Sequence, residues 1–489
     1  MMSWSLRKLL LLNRLGVHRQ LFCRRYSQES ASHVAVVGSG PAGFYTAQQI
    51  LKGNKNIFVD IYEKLPVPFG LVRFGVAPDH PEVKNVINTF TQTAGNKRCS
   101  FLGNVEIGKH ISIEELRKAY SAVVFAYGAS EDKQFGLPGE DLQGVHSARA
   151  FVGWYNGLPE DQHLEPDLTC TDSAVILGQG NVALDVARIL LTPIDILAKT
   201  DISQHALEVL EKSTIKKVYL VGRRGPLQVA FTIKELREMV NLPGCRHRLF
   251  QQDYEGLEDF VKKIPRPRKR LTELLIKTAL SEPTPTEKSR LDSADKEWYL
   301  QYKRSPVEFL PDGSGHRVGS VKFAINRLEG ELGVNQKAVM TEDFESISCG
   351  LVLRSIGYKS IPLENLPFNR DRGIINHDGK GRVDNQPGVY CSGWVKRGPV
   401  GVILSTMTDG FETGKAIVSD IEKGILKRYP SDHSAKYEIT SLLKEKGHQV
   451  VSFDDWEKID QAEMHMGEPL GKPREKLLDI SEMLRIAEQ

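Results

Sequence analysis

Two glycine-rich turns of the dinucleotide-binding type occur in this chain, one near its beginning and one near its middle. The first, at 38–43, reads GSGPAG and follows the apolar run 34–37. The second, at 178–183, reads GQGNVA and follows the apolar run 174–177. A turn of this type needs a strand before it and a helix after it, and both turns have that context. The pattern predicts an α/β chain with two Rossmann-like, dinucleotide-binding domains.

The residue that ends the next strand distinguishes the two turns. After the first turn, the strand at 59–63 ends in Glu63, whose carboxylate can accept hydrogen bonds from ribose hydroxyls. A ligand with free ribose hydroxyls, FAD or NAD, is implied. After the second turn, the strand at 218–222 ends in Arg223 and Arg224, with no acid there. Guanidinium groups suit a 2′-phosphate and therefore NADP.

Length and cysteine spacing limit the possible architectures. A chain of 489 residues exceeds what one hydrophobic core usually serves, so we expect two or three domains. The six cysteines include no Cys-x-x-Cys pair, which argues against a disulfide framework, a zinc site and an iron–sulfur cluster. Apolar runs such as 9–12 are far shorter than the roughly 20 residues of a membrane span. We therefore predict no metal site and no transmembrane helix.

The segment 1–28 carries six basic side chains and no acidic one. This composition is typical of a mitochondrial transit peptide. A secretory signal is the alternative, but Asn13 and Arg14 interrupt its apolar stretch. Removal of these six positive charges changes the formal net charge from +3 to −3. The mature chain is therefore not globally basic, and any basic site must be local.

Other segments give local predictions. Helical periodicity over 184–212 predicts an extended crossover after the second glycine turn. The stretch 281–296, rich in Ser, Pro and Thr, predicts an exposed loop. The stretch 400–407 predicts the start of a helix that continues to about Lys423, and its free N–H groups would stabilise negative charge on a reduced flavin.

A basic run at 262–270 packs six positive charges into nine residues. Such runs are often solvated faces or nucleic-acid patches. No aromatic residue is interleaved and the mature chain is not basic, so we expect no nucleic-acid partner. An acidic protein partner fits better, because complementary potentials speed docking. The residues predicted to dock it are Arg266 and Arg270, with Arg268 and Lys269.

The sequences VPFGLVRFGVAPDHP at 67–81 and GWVKRGP at 393–399, together with both glycine turns, resemble the mitochondrial adrenodoxin (ferredoxin) reductases. The resemblance implies an FAD domain in two pieces, 29–132 and 357–489 including a C-terminal tail, with an NADP domain at 133–356 inserted between them. It also implies NADPH as electron donor and an acidic [2Fe-2S] ferredoxin as acceptor. That ferredoxin would serve mitochondrial haem-thiolate monooxygenases in steroid, cholesterol and related metabolism. A matrix location is implied, and peripheral association with the inner membrane stays open.

The predicted nucleotide contacts come partly from the patterns and partly from the resemblance. For FAD, the pattern gives Gly38, Gly40, Gly43 and Glu63, and the resemblance adds Ala42, Leu71, Ile107, Trp394, Gly401, Val402 and Ile403. For NADP, the pattern gives Gln179, Gly180, Asn181 and Val182 at the pyrophosphate and Arg223 and Arg224 at the 2′-phosphate, and the resemblance adds Glu235 and Gly401.

Several of these residues also have an ordinary structural interpretation. Thr232 and Glu235 fit a helix capping box, in which the glutamate satisfies a backbone donor. Trp394 could be a core residue, and patterning alone would place Ile107 in an apolar strand. His80 and Asp185 are candidates for a proton route, since full reduction of a flavin takes up a proton. The alternatives are an ordinary turn at 79–81 and an exposed helix acid at 185.

The sequence thus predicts an NADPH-dependent flavoenzyme that passes a hydride to FAD and single electrons to a ferredoxin. No cysteine pair or internal cluster is available, so the electrons must leave to an external acceptor. A flavin-dependent monooxygenase would use the same two turns but would consume oxygen. A non-catalytic NADP-sensing regulator is a third hypothesis, and it predicts a chain without flavin.

Overall fold

The computed structural model describes residues 31–430 and 433–489, which divide into two compact units. The first unit contains the chain up to Pro68, Asn88–Gly128 and Pro362–Phe453. The second contains Phe69–Ile87, Ala129–Ile361 and Asp454–Gln489. The predicted transit peptide, 1–28, lies outside the described residues.

This division into compact units differs from the predicted domains in two segments. The sequence places 69–87 and the C-terminal tail in the FAD domain, whereas the structure places Phe69–Ile87 and Asp454–Gln489 in the second unit. The physical reason is that charged side chains of these two segments pair within that unit. Arg73 pairs with Glu463 at 2.5 Å, for example, and both side chains are buried.

The first unit is built on a five-stranded sheet in which all neighbouring strands are parallel. In spatial order the strands are Val389–Cys391, Ala122–Phe125, Ser32–Val37, Ile57–Tyr62 and Cys99–Leu102. The strand that precedes the first glycine turn is central and completely buried. This is a Rossmann-type strand order, in which ligands bind at the carboxyl ends of the strands.

Two long helices pack closely on each other in the first unit. The helix Pro41–Gly53 follows the glycine turn, and the helix Ile403–Glu422 crosses it. A Cβ at Gly410 would lie 2.9 Å from the Tyr45 Cβ, and one at Gly414 would lie 2.8 Å from the Gln49 Cβ. The glycines therefore let the backbones approach. The sequence-predicted helix from about 403 to 423 is confirmed.

The second unit holds a six-stranded parallel sheet. Its strands in spatial order are Val145–Ser147, Leu351–Arg354, Ser173–Leu177, Lys217–Val221, Lys296–Gln301 and Cys245–Arg248. An antiparallel sheet follows, with strands Arg304–Pro311, Val318–Glu329 and Lys337–Ser348. Two parallel sheets, each with a glycine turn after a buried strand, confirm the predicted α/β class with two Rossmann-like domains.

The remaining helices cover these sheets or lie at their ends. In the first unit they are Ile113–Ala119, Trp394–Arg397 and Ala435–Glu445, with Ile87–Ala94 at its margin. In the second they include Leu71–Phe74, Pro81–Lys84, Ala148–Tyr155, Asn181–Leu191, Ile194–Leu197, Gln204–Glu211, Ile233–Val240, Glu258–Val261, Arg268–Leu280, Phe453–Gly467 and Ile480–Ala487. Within the described ranges, no helix is both long and apolar enough to span a membrane.

The predicted loop at 281–296 is wrong in its secondary structure. Residues Pro285–Asp292 form a helix with an exposed surface. Its start is a capping box, in which the Thr284 side chain accepts from the Glu287 N–H and the Glu287 carboxylate accepts from the Thr284 N–H. These reciprocal bonds satisfy end groups that composition alone does not reveal.

Candidate nucleotide-binding sites

The three glycines of the first turn meet three different requirements. Gly38 has φ +107°, and a Cβ there would lie 2.6 Å from the Ala126 carbonyl oxygen. A Cβ at Gly43 would lie 2.0 Å from the Gly38 carbonyl oxygen, so this glycine permits helix–strand packing. A Cβ at Gly40 would meet no atom within 4 Å. Gly40 therefore borders open space, into which a pyrophosphate could approach the backbone.

Glu63 follows directly on the strand Ile57–Tyr62 and is fixed beside this turn. Its Oε2 accepts from the Ser39 N–H at 3.0 Å and from the Ser39 hydroxyl at 2.7 Å. Its Oε1 accepts from the Leu65 N–H at 3.2 Å. A carboxylate has about four acceptor positions, and these bonds use three of them. Acceptor capacity for a ribose hydroxyl remains.

The turn before Trp394 packs on the helix that follows the first glycine turn. Gly393 has φ +76°, and a Cβ there would lie 2.4 Å from the Ala42 Cβ. The hydroxyls of Ser392 and Thr46 are 3.0 Å apart. Ala42 and the Trp394 turn, both predicted FAD contacts, are thus brought together in the first unit.

The sequence analysis missed Asp409, which holds this turn in place. Its Oδ2 accepts from the Gly393 N–H at 2.6 Å, and its Oδ1 lies 3.0 Å from the Lys396 ammonium and 3.4 Å from the Arg397 guanidinium. Lys396 is buried and also pairs with Glu412 at 3.1 Å. The basic character of the 393–399 motif is therefore largely neutralised inside the protein. No sequence pattern singles out Asp409, because its partners lie more than ten residues away.

The other predicted FAD contacts lie in different settings. Gly401 has φ +92°, and Val402 caps the helix that starts at Ile403. The exposed Val402 shows that this helix start is open on one side. Ile107 is buried but lies in a turn bridged to Ile111, so its predicted strand is wrong. Leu71 starts a short helix in the second unit.

The second glycine turn has the same division of roles. Gly178 has φ +141°, and a Cβ there would lie 2.1 Å from the Ser355 carbonyl oxygen, whereas Gly180 borders open space. The Gln179 amide donates to the carbonyl of Gln301 at 2.8 Å, and the Asn181 Oδ1 accepts from the Thr232 N–H at 2.8 Å. Because both side chains are engaged within the protein, backbone N–H groups at the helix start are what this turn can offer a phosphate.

Arg223 and Arg224 follow the strand Lys217–Val221 and have no carboxylate partner among the described residues. Their backbone carbonyls are fixed, since Arg223 accepts from the Asn326 side chain at 2.8 Å and Arg224 from the Lys303 N–H at 3.0 Å. Burial, together with neighbouring Arg223, lowers the pKa of Arg224. Uncompensated positive charge at a strand end suits an anion, so a 2′-phosphate site here stays a prediction.

Arg268, predicted as a docking residue, lies close enough to Arg224 to belong also to this positive region. Its guanidinium is half-buried and donates to the Val229 carbonyl at 2.5 Å. Burial, and after it the charge of Arg224, lowers the pKa of Arg268. In the sequence Arg268 stands among its neighbours in the basic run, and its proximity to Arg224 is visible only in the structure.

The predicted residues His80, Asp185 and Glu235 lie in one cluster of the second unit. At its centre is Arg188, a buried residue that the sequence analysis missed. Arg188 donates to Asp185 at 2.7 Å and to Glu235 at 3.2 Å, and it also pairs with Asp79. The His80 Nε2 lies 2.7 Å from a Glu238 oxygen, and that oxygen lies 3.6 Å from Arg188. His80 does close a turn, since its N–H donates to the Ala77 carbonyl at 3.0 Å, so that alternative stays open. Asp185 is not the exposed acid of the other alternative, because its side chain is only 15% exposed and pairs with Arg188.

Of the two reciprocal hydrogen bonds of a capping box, the structure has the one to the Thr232 hydroxyl and lacks the one to the Glu235 carboxylate. The Thr232 hydroxyl does accept from the Glu235 N–H, at 3.5 Å. The Glu235 carboxylate, however, is buried and points to Arg188 instead of returning to Thr232. The hydrogen bond from a buried guanidinium outcompetes the local bond.

Among the described residues, His80, Glu235 and Glu238 could offer a metal ion three ligand atoms within 4.8 Å of one another. The Arg188 guanidinium lies 3.2 Å from Glu235 and 3.6 Å from Glu238 and already supplies the positive charge there. We assign no metal to this cluster, and the absence of a metal site stays a prediction from the sequence.

Stability should fall as the pH rises through the titration range of Glu235. Burial, followed by the Asp185 carboxylate, raises the pKa of Glu235 from 4.5 to about 8. Between these values the folded chain holds a proton that the unfolded chain has released, so a rising pH favours unfolding. The urea midpoint should be lower at about pH 9 than at about pH 6, and Glu235→Gln should reduce this difference. The exposed Glu208→Gln serves as control, and an unchanged difference in Glu235→Gln would contradict the assignment.

The chain was compared with known proteins. Residues 32–240 match the pyridine nucleotide-disulphide oxidoreductase family model. The chain is 59% identical over 467 residues to the mitochondrial NADPH:adrenodoxin oxidoreductase of Homo sapiens, covering 95% of this chain and 94% of that protein. It is 46% identical over 484 residues to the protein of the same name from Arabidopsis thaliana, covering 96% and 98%. A solved structure of Mycobacterium tuberculosis FprA in complex with NADPH is 38% identical with a TM-score of 0.86, covering 94% of this chain and 100% of that one.

Proposed function

Because the chain belongs to the NADPH:adrenodoxin oxidoreductase family, we propose that it oxidises NADPH and reduces a ferredoxin, with FAD as its prosthetic group. One observation carries this proposal. The chain has two nucleotide-binding turns of different chemistry, one beside a carboxylate and one beside two arginines without carboxylate partners among the described residues. The first suits free ribose hydroxyls and the second a 2′-phosphate.

The residues of the first unit fit FAD. Open space at Gly40 and the remaining acceptor capacity of Glu63 suit the pyrophosphate and the ribose. Ala42, Ile107, Trp394 and the start of the long helix are the further proposed contacts, together with Leu71. When bound, FAD accepts a hydride as an electron pair and releases electrons singly, which no side chain of this chain can do.

The residues of the second unit fit NADPH. Open space at Gly180 and the helix start at Asn181 suit the pyrophosphate. Arg223 and Arg224 suit the 2′-phosphate, and we add Arg268 as a supporting charge. Glu235 and Gly401 remain proposed contacts by family resemblance. His80 and Asp185 remain the proposed proton route, with Glu238 in hydrogen-bond reach of His80.

The acceptor that we propose is an acidic [2Fe-2S] ferredoxin, docked at the basic run. Arg266 and Arg270 are exposed and have no ion-pair partner among the described residues. The helix Arg268–Leu280 has basic residues and no acid in its first turn. Cations at a helix N-terminus oppose the helix dipole and cost stability. An external acidic partner that pairs with the exposed charges of this first turn would offset that cost, which supports the proposal.

Location and pathway follow from the family. The relatives named above from Homo sapiens and Arabidopsis thaliana are mitochondrial. We propose a mitochondrial protein of the matrix side, and a peripheral association with the inner membrane belongs to the same proposal. The reduced ferredoxin would supply mitochondrial haem-thiolate monooxygenases of steroid and related metabolism.

One assay separates this function from its two rivals. The purified chain should be yellow, and NADPH should drive cytochrome c reduction that depends on added ferredoxin. A flavin-dependent monooxygenase would instead consume oxygen with an organic substrate. An NADP-sensing regulator would carry no flavin. A colourless chain after reconstitution with FAD, or reduction independent of ferredoxin, would overturn the proposal.

Charge reversal in the basic run should weaken ferredoxin docking selectively. Arg266→Glu with Arg270→Glu should raise the KM for ferredoxin by roughly 10- to 100-fold at low salt, since close charge pairs are worth about 1.5 kcal/mol or more each. Reduction of ferricyanide by NADPH should not change. Lys288→Glu, an exposed charge on the neighbouring helix Pro285–Asp292, is the matched control. Docking at this run is refuted if the double variant keeps the wild-type KM and salt dependence.

A further inference from the structure

The C-terminal segment Asp454–Gln489 packs on the segment Phe69–Ile87 through buried charges, in the second unit. The Arg73 guanidinium lies 2.5 Å from Glu463, with side-chain exposures of 4% and 0%. It also lies 5.0 Å from the ring centroids of Phe74 and Trp456. The ring of Phe69 meets that of Trp456 edge-on at 6.0 Å. Residues 69–74 are therefore held by the ion pair of Arg73 with Glu463 and by the contacts of Arg73 and Phe69 with the Trp456 ring.

Glu463 is itself fixed by the rest of the C-terminal segment. Its Oε1 accepts from the Leu477 N–H at 3.0 Å, and its Oε2 lies 3.5 Å from the Arg474 guanidinium. Its backbone carbonyl accepts from the Glu475 N–H at 2.9 Å. Arg474 also pairs with Asp460. The carboxylate that receives Arg73 thus has a set position and a set orientation.

A second group of buried charges connects the C-terminal segment to the end of the segment Phe69–Ile87. Lys84 lies 2.6 Å from Asp201, and Lys476 of the C-terminal segment lies 3.1 Å from the same carboxylate. Lys476 is 1% exposed and also donates to the Asp201 backbone carbonyl at 3.1 Å. One carboxylate therefore joins residues from both segments.

Such pairs need an explanation other than stability. Desolvation of two charges can cost as much as their attraction returns, and apolar replacements of similar volume are often as stable. What buried ion pairs add is a defined geometry, because an unpaired buried charge makes any shifted arrangement costly. An apolar contact between the two segments would allow sliding that the Arg73–Glu463 and Lys84–Asp201–Lys476 groups forbid.

We propose that the C-terminal segment is a latch that fixes the conformation of residues 69–84, and that Arg73, Glu463 and Lys476 are positioning residues for Leu71. The link to FAD rests on the proposed function, because Leu71 is a proposed FAD contact. The latch itself does not depend on the proposed function, because it is argued from contacts within the protein alone. It holds the short helix Leu71–Phe74 and the turn that carries His80 in one arrangement.

The test compares Glu463→Gln with Glu482→Gln in the FAD-loaded protein. Glu463→Gln keeps the shape of the side chain but leaves Arg73 buried without its anion. Glu482→Gln removes an exposed carboxylate of the same segment, paired with Arg485 at 3.6 Å, and serves as control. Amide hydrogen exchange of residues 69–84 should accelerate by at least about tenfold in the first variant and stay unchanged in the second. The temperature at which FAD fluorescence is released should fall in the first variant only.

Arg73→Met combined with Glu463→Met separates positioning from stability. The double variant replaces the ion pair by apolar groups, so its global unfolding should be closer to wild type than that of Glu463→Gln. Its exchange at 69–84 should nevertheless stay at least about tenfold faster than wild type. If Glu463→Gln does not fold, the exchange of residues 69–84 is measured in this double variant and in Arg73→Lys instead. If residues 69–84 exchange at the wild-type rate in any of these three variants, the latch is overturned. Accelerated exchange with unchanged FAD release keeps the latch and overturns its link to FAD.

These readouts need neither NADPH nor ferredoxin. If the wild-type chain failed to reduce ferredoxin, the exchange measurement would still decide the latch, and only the proposed function would fall. Conversely, a ferredoxin reductase with unchanged exchange in Glu463→Gln would keep its function and lose the latch.

Discussion

Replacement of Arg223 and Arg224 by glutamine is expected to raise the KM for NADPH by at least about 100-fold while the KM for NADH changes by less than about threefold. A hydrogen bond to a charged group contributes about 1.5–3 kcal/mol, and each 1.4 kcal/mol corresponds to about tenfold in affinity. Both arginines lie at the end of Lys217–Val221 without a carboxylate partner among the described residues, so their loss breaks no ion pair recorded there. Steady-state kinetics with a ferricyanide acceptor measures the effect.

The control for this change is Arg248→Gln, an exposed arginine of the same unit that pairs with Glu297 at 2.9 Å. It should leave both KM values unchanged. Arg268→Gln should have an intermediate effect on NADPH alone, because its half-buried guanidinium adds positive charge beside Arg224. Equal losses with NADPH and NADH in the double variant would contradict a 2′-phosphate site at these arginines.

The parts of the site that the sequence predicted are those in which the chemistry is local. A glycine turn, the strand before it and the residue at the end of the next strand belong to one contiguous stretch of chain, so Gly38 and Glu63 could be predicted from their spacing. Arg223 could be predicted from its place after the next apolar strand, although an extended crossover separates the two strands. The family resemblance drawn from the contiguous phrases at 67–81 and 393–399 is confirmed by a relative that is 59% identical over 467 residues.

The partners that hold the site could not be predicted because they come from distant parts of the chain. Arg188 pairs with Asp79, 109 positions away, and Arg73 pairs with Glu463, 390 positions away. Neither interaction has a period or a motif. The predicted domains likewise give no sign that Phe69–Ile87 and Asp454–Gln489, far apart in the chain, lie in one compact unit.

A local signal was also overlooked. Thr284, Pro285 and Glu287 have the spacing of a helix start, with proline at the first helical position. The polar composition of this segment suggested a loop, but exposed helices can be equally rich in polar residues. Capping residues are therefore better evidence for a short surface helix than the overall polarity of the segment.

Two alanine substitutions in the first glycine turn are expected to have different consequences for folding, although both should weaken FAD binding. In Gly43→Ala the new Cβ would lie 2.0 Å from the Gly38 carbonyl oxygen, so strand and helix must separate. Overpacking of this kind typically costs about 1–3 kcal/mol, and a backbone clash places it at the upper end. We expect a lower unfolding temperature with or without FAD, and little bound flavin.

In Gly40→Ala the new Cβ meets no protein atom within 4 Å, and the backbone φ of −75° suits alanine. The apoprotein should therefore unfold within about 2 °C of wild type. FAD affinity should nevertheless fall by about tenfold or more, because the added methyl group occupies the space that the pyrophosphate needs. Calorimetry of the apoprotein and flavin titration measure the two effects. Tight FAD binding by Gly40→Ala would show that the pyrophosphate does not approach this turn, and the assignment of FAD to the first unit would lose its main geometric support.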